Sequence, residues 1–225
     1  GYTFAGWATS SGGAVAYANS ASVTITSGLS LYAKWTANTY TITYSYNSAS
    51  GGNTTVSDSF VVDSTAITLP VPTRTGYTFG GWFESSTFTG SAIGLTYSPT
   101  STRTIYAKWT ANTYTVAFTY NGANGSNTTL SDTYTVDGTA ITLPVPTKTG
   151  YTFAGWFESS SFTGSALGLT YAPSAGGTIY AKWTANTNTV SFNNNTGSGT
   201  MVDQSITSGT ATALSANTFT KTGYS

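Results

Sequence analysis

The 225-residue sequence contains no cysteine and no histidine. The lack of cysteine excludes disulfide bonds, thiolate zinc sites and thiol chemistry. The lack of histidine removes the most common general base and metal ligand, so no Ser-His or Cys-His catalytic pair can form. We therefore expect no enzymatic activity, no metal site and no cofactor.

Charge is also scarce, because charged residues make up 6% of the chain, with seven basic and seven acidic side chains. Ordinary soluble domains carry about 25%. A chain without net charge has no field that would steer it to nucleic acid. No apolar run approaches the ~20 residues that a membrane-spanning helix needs, so we expect no membrane insertion in this segment. A surface of Ser, Thr, Asn and Gly suits a solvated extracellular fibre or stalk.

The chain is rich in aromatic residues, at 15%, and these recur in a repeated pattern. The distance from Trp35 to Trp109 is 74 residues, and so is the distance from Trp109 to Trp183 (109 − 35 and 183 − 109). A fixed period of this size marks an array of small folding units. We assign a back half of a repeat to 1–38, complete repeats to 39–112 and 113–186, and a front half to 187–225.

The first half of each repeat carries alternation of large and small residues, which is typical of half-buried strands. It is clearest at 40–46 and 114–120 and weaker at 188–193. A second strand is predicted at 55–63, with its copy at 129–137. Each first strand is followed by a turn rich in Gly and Asn.

A proline-containing segment, TAITLPVPT, then crosses to the second half of the repeat at 65–73 and 139–147. Proline forbids a long helix and a central strand, so we expect an extended crossing with at most one helical turn. The third strand is GYTFxGW, whose glycines predict a bulge. A loop of about 20 residues, as at 84–103, precedes the fourth strand, TIYAKW.

The predicted fold is therefore all-β, a tandem array of small four-stranded units in the order β-β-crossing-β-β. Aromatic side chains in alternating strands are expected to form the core. These predicted core residues are Trp7, Trp35, Trp82, Trp109, Trp156, Trp183, Phe79 and Phe153. Four aromatic residues of the long loops are candidates for a contact surface: Phe88, Tyr97, Phe162 and Tyr171.

The acidic residues are few and scattered. Asp58 and Asp63, with their copies Asp132 and Asp137, flank a strand and suit turn or edge capping better than calcium binding, which gathers several oxygens. Glu84 and Lys108 recur with the repeat and could pair across neighbouring strands.

The sequences of the two half repeats both differ from those of the complete repeats, which suggests that the halves belong to one repeat type. Residues 187–225 have a crossing two residues longer, LSANTFTKTG, and 1–38 lacks the WFESS of the complete copies. We expect 187–225 of one copy to combine with 1–38 of the next. This would occur within a longer covalent array or between separate subunits associated head to tail.

At GYTFAGW, LYAKWTANTYT and GTATAL the chain resembles the Listeria–Bacteroides repeat family, related to the B-repeats of internalin-type surface proteins. The resemblance covers the whole chain. It implies a bacterial cell-surface location, a β-grasp-like module, and neither an enzymatic activity nor defined ligand residues. The chain departs from the family in its low charge, which argues against electrostatic binding of anionic glycans.

These observations predict a structural repeat segment of an extracellular bacterial surface fibre, stalk or adhesin. The predicted partners are neighbouring repeats or copies of the chain itself. The alternative is an array of glycan-binding modules, in which weak sites act together through multivalency.

Overall fold

The computed structural model describes residues 1–52, 55–125 and 129–224. Its regular elements are strands, and within these ranges no residue is helical, which confirms the predicted all-β class. A helix long and apolar enough to cross a membrane is accordingly not found in that part of the chain.

The chain divides into two compact units, Gly1–Asn112 and Thr113–Ser225. The strands of the first unit are β1 (Tyr2–Ala8), β2 (Tyr32–Ala37), β3 (Thr39–Ser45), β4 (Gly51–Gly52), β5 (Ser57–Val61), β6 (Ile67–Thr68), β7 (Pro72–Thr73), β8 (Tyr77–Phe83), β9 (Thr96–Tyr97) and β10 (Arg103–Ala111). The strands of the second unit are β11 (Thr113–Thr119), β12 (Ser131–Thr135), β13 (Ile141–Thr142), β14 (Tyr151–Phe157), β15 (Thr170–Tyr171), β16 (Gly177–Ala185), β17 (Thr187–Val190) and β18 (Gln204–Thr207).

Each complete repeat forms a mixed four-stranded sheet. The order is β5-β3-β10-β8 in the first unit and β12-β11-β16-β14 in the second. The two outer pairs are antiparallel, whereas the central pair, the first and last long strands of the repeat, is parallel. A parallel pair needs a long connection, and the strands and loops between β3 and β10 supply it.

The alternating residues of the central strands form the core of each repeat. Ile42 and Tyr44 of β3 lie in one cluster with Ile105 of β10, and both isoleucines are fully buried. Threonines between them point to the other face and stay exposed at Thr41 and Thr43. The period of two in the sequence thus separates the buried face from the solvated one.

The glycine-rich third strand contains the predicted bulge. The register between β14 and β16 shifts between Phe153 and Gly155. Gly155 has φ of +110°, and a Cβ there would lie 2.8 Å from the Cβ of Ala166. Both the backbone conformation and the close approach therefore require glycine.

The proline-containing crossing forms no helical turn, and short strands pair it with neighbouring segments. In the first repeat, β6 pairs with β9 of the long loop and β7 pairs with β4. The Leu69 amide donates to the Leu95 carbonyl at 2.9 Å, and the Leu69 side chain is buried. Pro70 and Pro72 have no amide hydrogen, so hydrogen bonds to neighbouring segments replace those of a helix.

Each unit also contains a two-stranded hairpin from a partial repeat. In the first unit β1 pairs antiparallel with β2, and in the second β17 pairs antiparallel with β18. Each hairpin is joined to a four-stranded sheet of its own unit by a single residue, Asn38 or Asn186.

Candidate functional site

The first tryptophan of each complete repeat is a core residue anchored by a hydrogen bond. Trp82 is 2% exposed, and its indole Nε1 donates to the Pro70 carbonyl at 2.7 Å. Trp156 is equally buried and donates to the Pro144 carbonyl at 2.6 Å. The crossing segment is thereby attached to the sheet through its proline carbonyl.

The second tryptophan connects the two halves of the repeat. Trp109 is half-buried, and its Nε1 donates to the Tyr46 carbonyl at 2.9 Å. In return, the Asn47 side-chain amide donates to the Ala107 carbonyl at 2.8 Å. The second repeat has the same pair of bonds, Trp183 to Tyr120 and Asn121 to Ala181, at 2.9 and 2.8 Å. Phe79 and Phe153 lie beside these indoles, with ring centroids 5.4 Å away.

The tryptophans of the N-terminal hairpin are placed differently. Trp35 was expected in a core but is 56% exposed, while Trp7 is half-buried. Phe4 packs edge-on between them, at centroid distances of 5.2 and 5.4 Å. The reason is that no strand corresponding to β3 lies against β2 in the described part of the chain, so the indole that would join two halves faces solvent.

The four loop aromatics considered as a contact surface are half-buried against their own repeat. The Phe88 ring meets Phe83 edge-on at 5.8 Å, and Phe162 meets Phe157 in the same way at 5.8 Å. Phe88 and Phe162 adopt left-handed backbone conformations, each with φ of 57°. They therefore support the loop in which they lie.

The two loop tyrosines donate from their hydroxyls to the glutamate that follows the third strand. Tyr97 bonds Glu84, and Tyr171 bonds Glu158. Burial, and next the hydrogen bond to the carboxylate, raise the pKa of Tyr97 and of Tyr171 to about 12. Glu84 also forms an ion pair with Arg103.

The recurrent lysine pairs with an aromatic ring instead of with the glutamate. The Lys108 ammonium lies 5.3 Å from the centre of the Phe83 ring, and Lys182 lies 5.1 Å from that of Phe157. A cation over an aromatic face is worth ~0.5–1 kcal/mol at an exposed site.

The aspartates have local partners. Asp58 accepts a hydrogen bond of 2.7 Å from the Tyr44 hydroxyl, and burial together with this bond raises the pKa of Tyr44. Asp132 accepts from the Thr133 amide at 2.7 Å. Asp63 and Asp137 occupy left-handed turn positions. Across the described residues no three acids come together as a metal site would require.

The junction between the first hairpin and the first complete repeat is a single residue, Asn38. Its amide donates to the Gly1 carbonyl at 2.9 Å, which extends the β1–β2 ladder. Its carbonyl accepts from the Val62 amide at 3.0 Å, which extends the β3–β5 ladder. Its side-chain oxygen accepts from the Thr3 hydroxyl at 2.6 Å. One residue thus belongs to the hydrogen-bond ladders of two successive repeats.

Asn186 has the same role between the second complete repeat and the last hairpin. It donates to the Gly150 carbonyl at 2.9 Å and accepts from the Ser208 amide at 2.8 Å. Its side-chain oxygen accepts from the Thr152 hydroxyl at 2.6 Å. The geometry of the junction is therefore reproduced in the two units.

Close packing reinforces the junction in the second unit. A Cβ on Gly150 would lie 3.0 Å from the Ser208 hydroxyl oxygen, and one on Gly209 would lie 2.2 Å from the Tyr151 hydroxyl oxygen. Both glycines have positive φ, 81° and 80°. The second residue of the GYTF signature therefore lies against the following partial repeat.

The junction asparagines were not singled out by the sequence prediction. Their signal is the Asn of YAKWTANT, which recurs at Asn38, Asn112 and Asn186. Asn112 donates to the Gly76 carbonyl at 2.9 Å and accepts from the Thr78 hydroxyl at 2.7 Å, as its counterparts do. Recurrence alone did not distinguish an asparagine that joins two ladders from one that caps a turn.

Comparison with protein families gives one match that recurs along the whole chain. The Listeria-Bacteroides repeat domain matches residues 1–34, 40–108, 114–182 and 189–225. Asn38, Asn112 and Asn186 all fall between the matched stretches.

Curated relatives include two proteins of Evansella cellulosilytica and one of Listeria monocytogenes. The first, provisionally named a membrane protein, is 36% identical over 172 residues, which are 76% of this chain and 25% of that protein. The second, provisionally named a Gly-rich membrane protein, is 35% identical over 176 residues, 77% and 19% of the two chains. Internalin H is 36% identical over 122 residues, 52% and 21%. The chain thus spans a quarter or less of these relatives, and no solved structure gave a significant match.

Proposed function

The chain belongs to the Listeria–Bacteroides repeat domain family, and we propose that it is a spacer segment of an extracellular bacterial surface protein. Its repeats would give length and ordered spacing to a fibre, stalk or adhesin. The similarity to internalin H and to two proteins named as membrane proteins supports a position at the cell surface. The scarcity of charge is consistent with a segment that supplies length rather than electrostatic binding.

The observation that carries this proposal is the one-residue junction. β2 ends at Ala37 and β3 begins at Thr39, so a single asparagine separates the strands of successive repeats. A flexible linker lets the distance between its ends grow only as the square root of its length. A residue bonded into both ladders removes that freedom, because its amide and carbonyl are fixed by different repeats.

We also propose that the repeat is a helix-free variant of the β-grasp fold. The support is the sheet order of second, first, fourth and third long strand, with the parallel pair in the centre. The extended proline-containing crossing takes the place at which a β-grasp fold carries its helix.

The spacer function is tested by measuring height above a cell surface. Increasing numbers of copies of the chain would be inserted between a wall anchor and an epitope tag, with Gly-Ser linkers of equal length as controls. We expect the height of the tag to rise in proportion to copy number, while the control rises as its square root. A square-root dependence for both would contradict a spacer.

A glycan-binding array is the second candidate. It is favoured by the exposed rings of Tyr2 and Trp35, which line a depression of about 340 Å³. The corresponding Trp109 and Trp183 are hydrogen-bonded inside their repeats, so the described chain presents this surface once and not in every repeat. Binding to a glycan array that is lost in Trp35→Ala would support this candidate against a spacer.

A further inference from the structure

The hairpin of β1 and β2 exposes residues that are buried in both complete repeats. Leu31 occupies the position of Ile105 and Ile179, one period earlier in the sequence. It is 37% exposed, against 0% and 2% for the two isoleucines. Trp35, at the position of Trp109, is 56% exposed. This hairpin therefore presents the inner face of a back half-repeat.

The segment 187–224 exposes the complementary set. Leu214, in TATAL, corresponds to Leu69 and Leu143, each in TAITL. Leu214 is 62% exposed, whereas the other two leucines are 3% and 4% exposed. Phe192, at the position of the buried Phe118, is only half-buried. This segment presents the inner face of a front half-repeat.

The edges of the two hairpins are complementary as well. In the first complete repeat β3 and β10 are the central strands, each with a neighbour on both sides. Their counterparts β17 and β2 each have one neighbour among the described residues. An unpaired strand edge is a template for another strand.

We infer that residues 187–224 of one copy of this chain dock on the hairpin of residues 1–38 of a second copy, forming a composite repeat. The complete repeats give the register of this contact, because Thr104 pairs with Thr43 and Thr178 pairs with Ala117 in parallel. In the composite repeat Ser30 takes the position of Thr104 and Ser191 takes that of Ala117, so Ser30 of one copy pairs with Ser191 of the other. Repetition of this contact is heterologous and joins the copies head to tail.

The partial repeats contain the donor groups that form the hydrogen bonds between the halves of a complete repeat. Asn195 has φ of 40°, matching 48° at Asn47 and 51° at Asn121, whose side chains bond the facing strand. In the composite repeat the Asn195 side chain donates to the Ala33 carbonyl. The Trp35 indole, which has no hydrogen-bond partner among the described residues, donates to the carbonyl of residue 194. The segment 187–224 is thus matched to the hairpin by its backbone conformation as well as by its apolar surface.

Engineered cysteines test the register, since the natural chain has none. The full chain with Ser30→Cys and Ser191→Cys is oxidised at high concentration and compared with Ser30→Cys and Thr189→Cys. Thr189 is also exposed and lies two residues away on the same side of the strand. We expect a ladder of disulfide-linked multimers for the first pair of cysteines, with a yield at least tenfold higher than for the second pair. Equal yields, or a disulfide within one chain, would overturn the inference.

Sedimentation tests the association without cross-links. The natural chain should form multimers that grow with concentration, while Leu31→Asp and Leu214→Asp should remain monomeric. Leu169→Asp is the control, because Leu169 is 77% exposed and belongs to a complete repeat. A natural chain that is monomeric at every concentration, or a Leu31→Asp variant that associates unchanged, would overturn the inference. The association does not depend on the spacer function, since a chain can polymerise whatever its role at the cell.

Discussion

Replacing the second tryptophan should have very different effects in a complete and in a partial repeat. The Trp109 ring lies 5.4 Å from Phe79, and its indole donates to the Tyr46 carbonyl. Truncating a fully buried aromatic residue costs about 3–5 kcal/mol. Half-burial reduces the packing part to about 2 kcal/mol, and loss of the hydrogen bond adds about 1 kcal/mol. Trp109→Ala should therefore destabilise the repeat by about 3 kcal/mol, two orders of magnitude in the unfolding equilibrium.

The matched control is Trp35→Ala, in the same YAKWTANT signature. Trp35 is 56% exposed and contacts the Phe4 ring at 5.4 Å, so its loss should cost about 1 kcal/mol or less. Urea unfolding of dilute protein is followed by far-UV circular dichroism and by hydrogen exchange, at amides of β10 for Trp109→Ala and at amides of β2 for Trp35→Ala. Equal losses from the two substitutions would refute the assignment of Trp109 as the residue that joins the halves.

Three further expectations follow from single contacts. Gly209→Ala should destabilise the last hairpin by about 1–3 kcal/mol more than Gly12→Ala destabilises the first. Both glycines have positive φ, but only at Gly209 would the added Cβ lie within 4 Å of another atom. Hydrogen exchange measures both effects, and equal effects would contradict this expectation. The pKa of Tyr171 is raised to about 12 from 10.0, so its contribution to stability is complete below about pH 10 and is lost as the pH rises towards 12. Tyr97 titrates in the same range, so the tyrosinate absorbance step near pH 12 should shrink in Tyr171→Phe and leave the part due to Tyr97; an unchanged step would count against this. A double-mutant cycle of Thr3→Ala and Asn38→Ala should give a coupling of about 0.5–1.5 kcal/mol, and zero would show that their hydrogen bond contributes nothing.

Local patterns predicted much of the fold. The alternation at 40–46 and 114–120 corresponds to β3 and β11, and the bulge expected from glycine occurs at Gly155. These features depend on neighbouring residues, which the sequence displays directly. The second strand is shorter than predicted, Ser57–Val61, because only five of its residues pair with β3.

The features that the sequence did not predict are those that depend on residues distant in the chain. The parallel pairing of β3 with β10 joins residues about 60 positions apart, and strand alternation is the same for either partner or direction. The bond from Asn47 to Ala107 likewise depends on where the turn lies against another strand. Trp35 was expected in a core because its signature is identical to that of Trp109, but burial depends on which strands lie opposite.

The most direct test of the account is the protection of the junction amides. The Val62 amide donates to Asn38 and the Ser208 amide donates to Asn186, so both should exchange with solvent as slowly as amides inside the adjoining strands. Residue-resolved hydrogen exchange of the full chain measures this. Protection of both amides at the level of β3 and β17 would support continuous ladders through the asparagines. Exchange at the rate of unstructured peptide would contradict them, and the repeats would then be joined by flexible linkers.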